Sequence, residues 1–169
     1  MAAKQSKMIP TIETFSKMLV IDHIKEGISE TIKILGADQV SFQPVMIEKK
    51  WKPHAEITVI MDIKMIDEPM QVRLHFESAP IIFILESMLG SKVEPKSADL
   101  LDGLGEISNM IYGLIKTKAN SNGFSLGMTR PVACFSENNP PIVSRNHYSI
   151  IIPFQVNTHQ CFFEFVAYE

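Results

Sequence analysis

The sequence predicts an α+β fold of two layers, in which long helices pack on an antiparallel sheet. Apolar residues recur at helical spacing in segments 22–35 and 97–120, whereas they alternate with polar residues in segments 56–65 and 70–77. The elements follow the order helix, strands, short helix, long helix, strands. Because each half reads as a helix followed by antiparallel strands, the element order indicates a pseudo-duplicated fold.

The first half begins with a helix over Asp22–Leu35, which ends at Gly36, a residue type typical of helix C-termini. Three strand-like segments follow, and they are 39–48, 56–65 and 70–77. Asp67–Pro69 is predicted to turn the chain between the last two. Their alternating patterns predict an antiparallel hairpin with one buried face.

The second half begins with a short, buried helix that Ser78 is expected to cap and that ends near Gly90. Ser97 is the candidate N-cap of the long helix, which Asn122 and Gly123 interrupt. Four strand-like segments remain, and they are 124–128, 131–135, 148–156 and 161–168.

Composition limits the possible functions of the chain. Its 169 residues, 46% of them hydrophobic, indicate one domain over residues 11–169, preceded by a polar tail over residues 1–10. The net charge of −3, spread along the chain, argues against nucleic-acid binding. The longest apolar run, Pro80–Leu85, is too short for membrane insertion, so we expect a cytoplasmic protein. Cys134 and Cys161 are expected to be buried free thiols, and no spacing typical of a metal site is present.

The long helix has two different faces. A polar stripe about 60° wide contains Asp102, Glu106, Asn109 and Gly113. The opposite, apolar face is predicted to enter the core and consists of Leu100, Leu104, Ile107, Ile111 and Leu114, with Leu101 and Ile115 at its margin.

The polar stripe has two interpretations. Solvated polar faces are the norm on amphipathic helices. That interpretation leaves Gly113 unexplained, because an interior helix glycine costs about 0.5–1 kcal/mol relative to alanine. The alternative is that a flat macromolecular partner lies along the stripe, with Gly113 giving clearance and with Glu106 and Asn109 reaching into the partner.

The segment "LLDGLGEISNMIYGLIKTKAN", with its Asp102-x-x-x-Glu106-x-x-Asn109 pattern, and Pro131 beyond it resemble the signature of the CheC/CheX/FliY chemotaxis phosphatases. The length, the element order and a single Glu-x-x-Asn helix favour a CheX-like member. The resemblance covers about residues 97–135. The corresponding first helix offers Glu26 and Glu30 without a matching asparagine, which implies one active helix.

The resemblance implies hydrolysis of the aspartyl phosphate on a CheY-like response regulator. Glu106 and Asn109 would be the catalytic pair, and Asp102 and Gly113 would contact the partner. Asn109 would orient the attacking water, and Glu106 would pair with a regulator lysine. No cofactor is expected on this chain, because the regulator holds its own Mg²⁺. The family also implies a homodimer, for which the alternating segment 148–156 offers a possible sheet edge.

Two other functions remain open at this stage. The same broad fold occurs in flagellar switch components, so the chain could be a non-catalytic binding or assembly module. A sensor for a small ligand is the third hypothesis, although the sequence contains no ligand-specific polar set.

Overall fold

In the part of the chain that the structure describes, eight strands form one antiparallel sheet, and three α-helices pack on one face of it. The computed structural model describes residues 18–37, 39–64, 70–123, 125–140, 142 and 147–168. The helices are α1 (Met18–Ile34), α2 (Ser78–Leu89) and α3 (Ala98–Ser121). The strands are β1 (Val40–Phe42), β2 (Met46–Lys49), β3 (Ile57–Lys64), β4 (Met70–Phe76), β5 (Gly127–Met128), β6 (Val132–Phe135), β7 (His147–Val156) and β8 (His159–Tyr168). The predicted α+β class and the repeated element order are confirmed.

The strand order is β1-β7-β8-β4-β3-β5, with β2 also paired to β7 and β6 also paired to β3. Pairing in register places core residues opposite one another, as with Leu74 and Phe163 or Phe154 and Cys161. These side chains and the buried faces of the three helices form one apolar core. The sheet therefore supports the helices from one side.

The predicted strand 39–48 is two strands, β1 and β2, which both pair with β7. Consequently β7 lies inside the sheet, between β8 and these two strands, and the prediction that segment 148–156 offers a free edge is wrong. The described sheet instead ends at β1 and β2 on one side and at β5 and β6 on the other. The hydrophobic alternation of β7 reflects its burial, not an unpaired edge.

The β3–β4 hairpin was predicted to have a single buried face, but both faces of β4 are covered. Arg73 and His75 point away from the helices and yet are 4% and 0% exposed. The Trp51 ring meets the His75 ring edge-on at 5.6 Å, and the Arg73 guanidinium donates to Asn139 Oδ1 and to the Pro140 carbonyl. Contacts from distant segments thus bury polar side chains that the alternation assigned to solvent.

Helix α2 begins at Ser78, but Ser78 does not cap it. The N-cap residue is Glu77, and its side chain makes no capping hydrogen bond. The backbone N–H of Ser78 donates to Glu56 Oε2 at 2.8 Å, and the Ser78 hydroxyl donates to the same oxygen. These bonds hold the pKa of Glu56 below its ordinary value. The helix is also less buried than predicted, because Phe83, Met88 and Leu89 are exposed.

Helices α1 and α3 cross at Gly27, where a β-carbon would lie 2.6 Å from Ile115 Cγ1. Nearby, Lys118 Nζ lies 3.2 Å from a Glu26 carboxylate oxygen and 2.8 Å from a Glu30 carboxylate oxygen. The two acids of α1 are therefore engaged by α3.

Several sequence predictions concern smaller features. As predicted, α1 and α2 end close to Gly36 and Gly90, which both adopt positive φ, and α3 ends at Ser121, directly before Asn122 and Gly123. Cys161 is a buried free thiol, and burial raises its pKa to about 12. Cys134 is a free thiol as well, but it is only half-buried. Within the described ranges, no helix combines the length and the hydropathy that a membrane span requires. The predicted tail over residues 1–10 and the turn at 67–69 lie outside the described residues.

Candidate active site

The two faces of α3 lie as the sequence predicts. Asp102, Glu106, Asn109 and Gly113 are all exposed. On the opposite side, buried residues include Leu100, Leu104, Ile107, Ile111 and Ile115, together with Ser108, Tyr112 and Ala119, while Leu114 is only half-buried. The polar stripe is thus held outward by the burial of the opposite face. Its chemical role stays a prediction.

The start of α3 is fixed by a side-chain cap. Ser97 Oγ accepts a hydrogen bond from the Leu100 backbone N–H at 3.1 Å, and Asp99 lies in the first turn, where a carboxylate interacts favourably with the helix dipole. This cap fixes where α3 begins, and the stripe residues follow it at helical spacing.

An open groove of about 920 Å³ contains the predicted pair. Its lining is formed by the C-terminal part of α2, the first half of α3 and the start of β6. The lining residues are Leu85, Met88, Leu89, Asp99, Leu101, Asp102, Gly103, Gly105, Glu106, Ile107, Asn109, Met110, Arg130, Pro131, Val132 and Ala133. The structure therefore brings Asp102, Glu106 and Asn109 into one groove, while Gly113 is not part of its lining.

The α2 wall of the groove depends on Gly103. A β-carbon at this position would lie 2.6 Å from the terminal methyl groups of Leu85, so the absence of a side chain lets α2 approach α3 closely. Directly after α2, the Val93 backbone N–H donates to Glu86 Oε1 at 3.1 Å and the Val93 side chain is buried. These contacts hold Met88 and Leu89 beside the acid/amide pair.

The opposite wall comes from the segment that leads into β6. Ile60 of β3 pairs with Val132, and this pairing fixes β6 in the sheet. Arg130 and Pro131 directly precede β6 and also line the groove. Pro131 belongs to the sequence signature, but Arg130, Val132, Met88 and Leu89 were not predicted as site residues. They lie far from Glu106 along the chain, so only the folded topology brings them to it.

Two other glycines of α3, Gly105 and Gly113, make no close packing contact with the described residues. A β-carbon at Gly105 or Gly113 would meet no atom within 4 Å. The close packing beside this part of the helix occurs at Gly103 instead. The local fold therefore gives no reason for glycine at 113.

The charges around the groove are mixed. Asp99, Asp102 and Glu106 contribute carboxylates, and Arg130 contributes a guanidinium. A partner site that contains both a cation and an anionic group can therefore find complementary charges here. Among the described residues, no cluster of three or more His, Cys, Asp or Glu side chains is placed to hold a metal ion.

A hydroxyl, an imidazole and a carboxylate come together elsewhere, although the sequence showed no such constellation. Thr58 Oγ1 lies 3.0 Å from His75 Nδ1, and His75 Nε2 lies 2.8 Å from Glu164 Oε2. The Ser149 hydroxyl donates to the other Glu164 oxygen. All four residues are 0% exposed, so no substrate reaches them and the chain of hydrogen bonds is structural.

Solved structures share this fold over most of the chain. CheX from Vibrio vulnificus superposes with a TM-score of 0.74 at 19% identity, covering 86% of this chain and 97% of that one. A chain of the CheX–CheY–BeF3–Mg²⁺ complex from Borrelia burgdorferi gives a TM-score of 0.65 at 14% identity, with 89% and 98% covered. The FliM middle domain from H. pylori gives 0.68 at 14% identity, with 93% and 92% covered.

This likeness shows that the chain has the fold of the CheC/CheX-like proteins, with the exposed acid/amide pair on its long helix α3. No curated protein sequence matches the chain significantly. The sequence model of the family "Chemotaxis phosphatase CheX" matches residues 63–155, more than half of the chain, and the matched segment includes the whole groove. The chain belongs to this family.

Proposed function

We propose that the protein hydrolyses the aspartyl phosphate of a CheY-like response regulator and thereby terminates a chemotaxis or two-component signal. One observation supports this most directly. Glu106 and Asn109 are exposed one helical turn apart in an open groove, within the segment that matches the chemotaxis phosphatase family. An enzyme that acts on a phosphoprotein needs such accessible groups on a rigid element.

Asn109 is proposed to orient the nucleophile. A carboxamide can accept a hydrogen bond from water while it donates to a phosphoryl oxygen, so one side chain can align both reactants. Phosphoryl transfer depends mainly on positioning and charge stabilisation. Asn109 therefore needs no strong base beside it, and no covalent enzyme intermediate is required.

Glu106 is proposed to dock the helix in register. Its carboxylate, one turn before Asn109, would pair with a lysine beside the phosphorylated aspartate of the regulator. Asp102, one further turn towards the helix start, would make an outer contact. Gly113 would lie under the regulator surface beyond Asn109, where a side chain would obstruct the approach.

The cation of the reaction is proposed to belong to the regulator. The partner would bring its own Mg²⁺, and this chain would bind no cofactor. The CheX–CheY–BeF3–Mg²⁺ complex from B. burgdorferi contains this cation. The residues of this chain would contribute docking, water orientation and exclusion of bulk water from the site.

A non-catalytic switch or assembly module is the alternative function. The fold also occurs in the FliM middle domain from H. pylori. The match to the phosphatase family and the presence of both Glu106 and Asn109 favour the enzyme.

We also propose a cytoplasmic homodimer, because its regulator partner acts in the cytoplasm and the family resemblance implies a dimer. The described sheet has free edges at β1 and β2 and at β5 and β6, either of which can extend a sheet between subunits.

The decisive experiment is a phosphate-release assay. Candidate CheY-like regulators are phosphorylated with acetyl phosphate, freed of donor and incubated with catalytic amounts of the protein. Release faster than that of each regulator alone supports the proposal. Tight binding to a beryllofluoride-activated regulator without faster release would instead favour the non-catalytic module.

A further inference from the structure

Exposed apolar side chains concentrate around the groove. Among the described residues, seven large hydrophobic side chains are strongly exposed. Four of these line the groove that holds Glu106 and Asn109, and they are Met88, Leu89, Met110 and Val132, with exposures of 54%, 61%, 41% and 63%. We call these four residues the apolar rim.

The rim is assembled from three separate elements. Met88 and Leu89 end α2, Met110 directly follows Asn109 on α3, and Val132 begins β6. Ile84 and Leu85 of α2 and Ile107 of α3 are buried, and two partly buried residues of β6, Ala133 and Phe135, pack against the core. The rim is therefore a preformed surface, and apolar patches bordered by polar residues commonly mark protein interaction sites.

We propose that the apolar rim is the docking surface for the CheY-like regulator and that it determines which regulator is accepted. The proposal rests on the proposed function. If Asn109 reaches a phosphoaspartate, the regulator surface around that residue must lie over the rim, because the rim and the pair share one groove. Two of the four side chains are methionines, which adapt to differing apolar surfaces.

The position of the rim also identifies the occupant. A second copy of this chain seated on the rim would cover Glu106 and Asn109 and so block the site. A small ligand would leave unexplained why apolar side chains from three elements surround an acid and an amide. A protein whose apolar surface borders an anionic, lysine-containing pocket is complementary both to the apolar rim and to the Glu106 and Asn109 side chains.

The test separates docking from chemistry. The Met88→Ala/Leu89→Ala double variant is compared with wild type against the regulator that wild type dephosphorylates fastest. We expect KM to rise about tenfold, as for truncation of central interface residues, while kcat stays within about twofold. Binding of the beryllofluoride-activated regulator should weaken by a similar factor. Different regulators should be affected to different degrees.

Ile34→Ala is the matched control, because Ile34 is 75% exposed at the end of α1 and does not line the groove. It should leave KM unchanged. Circular dichroism and light scattering are recorded for both variants. An altered oligomeric state in the rim variant alone would overturn the proposal by making a second copy the occupant.

An unchanged KM in the rim variant, with an active wild type, would overturn the docking proposal and leave the proposed function intact. Absence of both hydrolysis and binding by wild type with every regulator tested would overturn the proposed function, and the docking proposal with it.

Discussion

A β-carbon at Gly103 would lie 2.6 Å from the terminal methyl groups of Leu85, so α3 approaches α2 at a distance that only glycine permits without rearrangement. This contact places the end of α2, with Met88 and Leu89, beside Glu106 on the next turn of α3. The shape of the groove therefore depends on a residue that takes no part in the proposed chemistry.

Gly103→Ala should destabilise the protein by about 1 kcal/mol. The added methyl group enters the space of the Leu85 side chain, which is only 4% exposed. Overpacking lowers the free energy of unfolding by about 1–3 kcal/mol, which exceeds the gain of about 1 kcal/mol from the higher helix propensity of alanine. Urea unfolding measures the change. Gly105→Ala is the control, since its methyl group would meet no atom within 4 Å, and it should stabilise the protein. Equal stability of the two variants would contradict the packing role of Gly103.

Asn109→Ala should fold normally and lose phosphatase activity. Asn109 is exposed, so its truncation should change the free energy of unfolding by about 0.5 kcal/mol or less. Removal of one preorganised polar group from a transition state commonly costs about 10²–10³ in rate. Single-turnover phosphate release with saturating enzyme measures the chemical step. Near wild-type turnover would reject the proposed orientation of water by Asn109.

Glu106→Gln should weaken productive docking more than chemistry. The neutral amide loses the ion pair with the regulator lysine, so activity should depend more strongly on regulator concentration and less on salt. A double-mutant cycle with a regulator whose lysine is replaced by alanine measures the coupling. Non-additive effects are expected, because both substitutions remove the same pair. Simple additivity would count against this pairing.

The free energy of unfolding should fall as the pH falls from about 7 to about 5. Burial lowers the pKa of His75 from its ordinary value of 6.5 and outweighs the opposing hydrogen bond to Glu164. As the pH falls, the His75 side chain therefore takes up a proton in the unfolded chain before it does so in the folded protein. The contribution of His75 to the free energy of unfolding is fully present above the ordinary pKa and is lost progressively below it. Urea titrations across this range measure the slope.

His75→Gln should reduce this pH dependence, whereas His54→Gln at an exposed position should retain it. The glutamine variant is expected to be less stable at pH 7, because it disturbs bonds to Thr58 and Glu164. The slope is the diagnostic quantity. An unchanged slope in His75→Gln would show that another group controls acid stability.

The exposed stripe of α3 was predictable because it depends only on helical geometry. Leu100 and Ile107 repeat at helix spacing, so their burial fixes Glu106 and Asn109 on the opposite side. The cap at Ser97 was predictable for the same reason, since it involves residues three positions apart. Local periodicity is sufficient to predict which residues are exposed wherever one face of an element packs against the core and the other does not.

Features that depend on long-range contacts were not predictable from pattern. Ser78 has the side chain of a helix cap, but Glu56 on a distant segment binds its N–H and hydroxyl groups. His75 alternates as a solvent-facing residue, yet Trp51 packs against it. Val132 joins the groove through the pairing of β6 with β3. In each case the environment comes from residues distant in sequence.

Gly113 provides the sharpest test of the docking model, because stability and activity should change in opposite directions. A β-carbon at this position would have no atom within 4 Å, so packing does not require glycine. Gly113→Leu replaces a weak helix former by a strong one. It should therefore raise the free energy of unfolding by up to about 1 kcal/mol and, with it, the melting temperature. The new side chain would project one turn beyond Asn109, under the proposed regulator surface, and should therefore reduce phosphate release.

Ser121→Leu adds the same side chain at an exposed position at the end of α3, two turns beyond Gly113, and serves as the control. It should leave phosphate release unchanged, because the regulator surface that Asn109 reaches should not extend that far. Melting temperature and single-turnover release are measured for both variants, with Gly113→Ala as an intermediate in side-chain size. A folded Gly113→Leu protein with undiminished release would show that no partner surface passes over this position, and docking along the stripe would have to be abandoned.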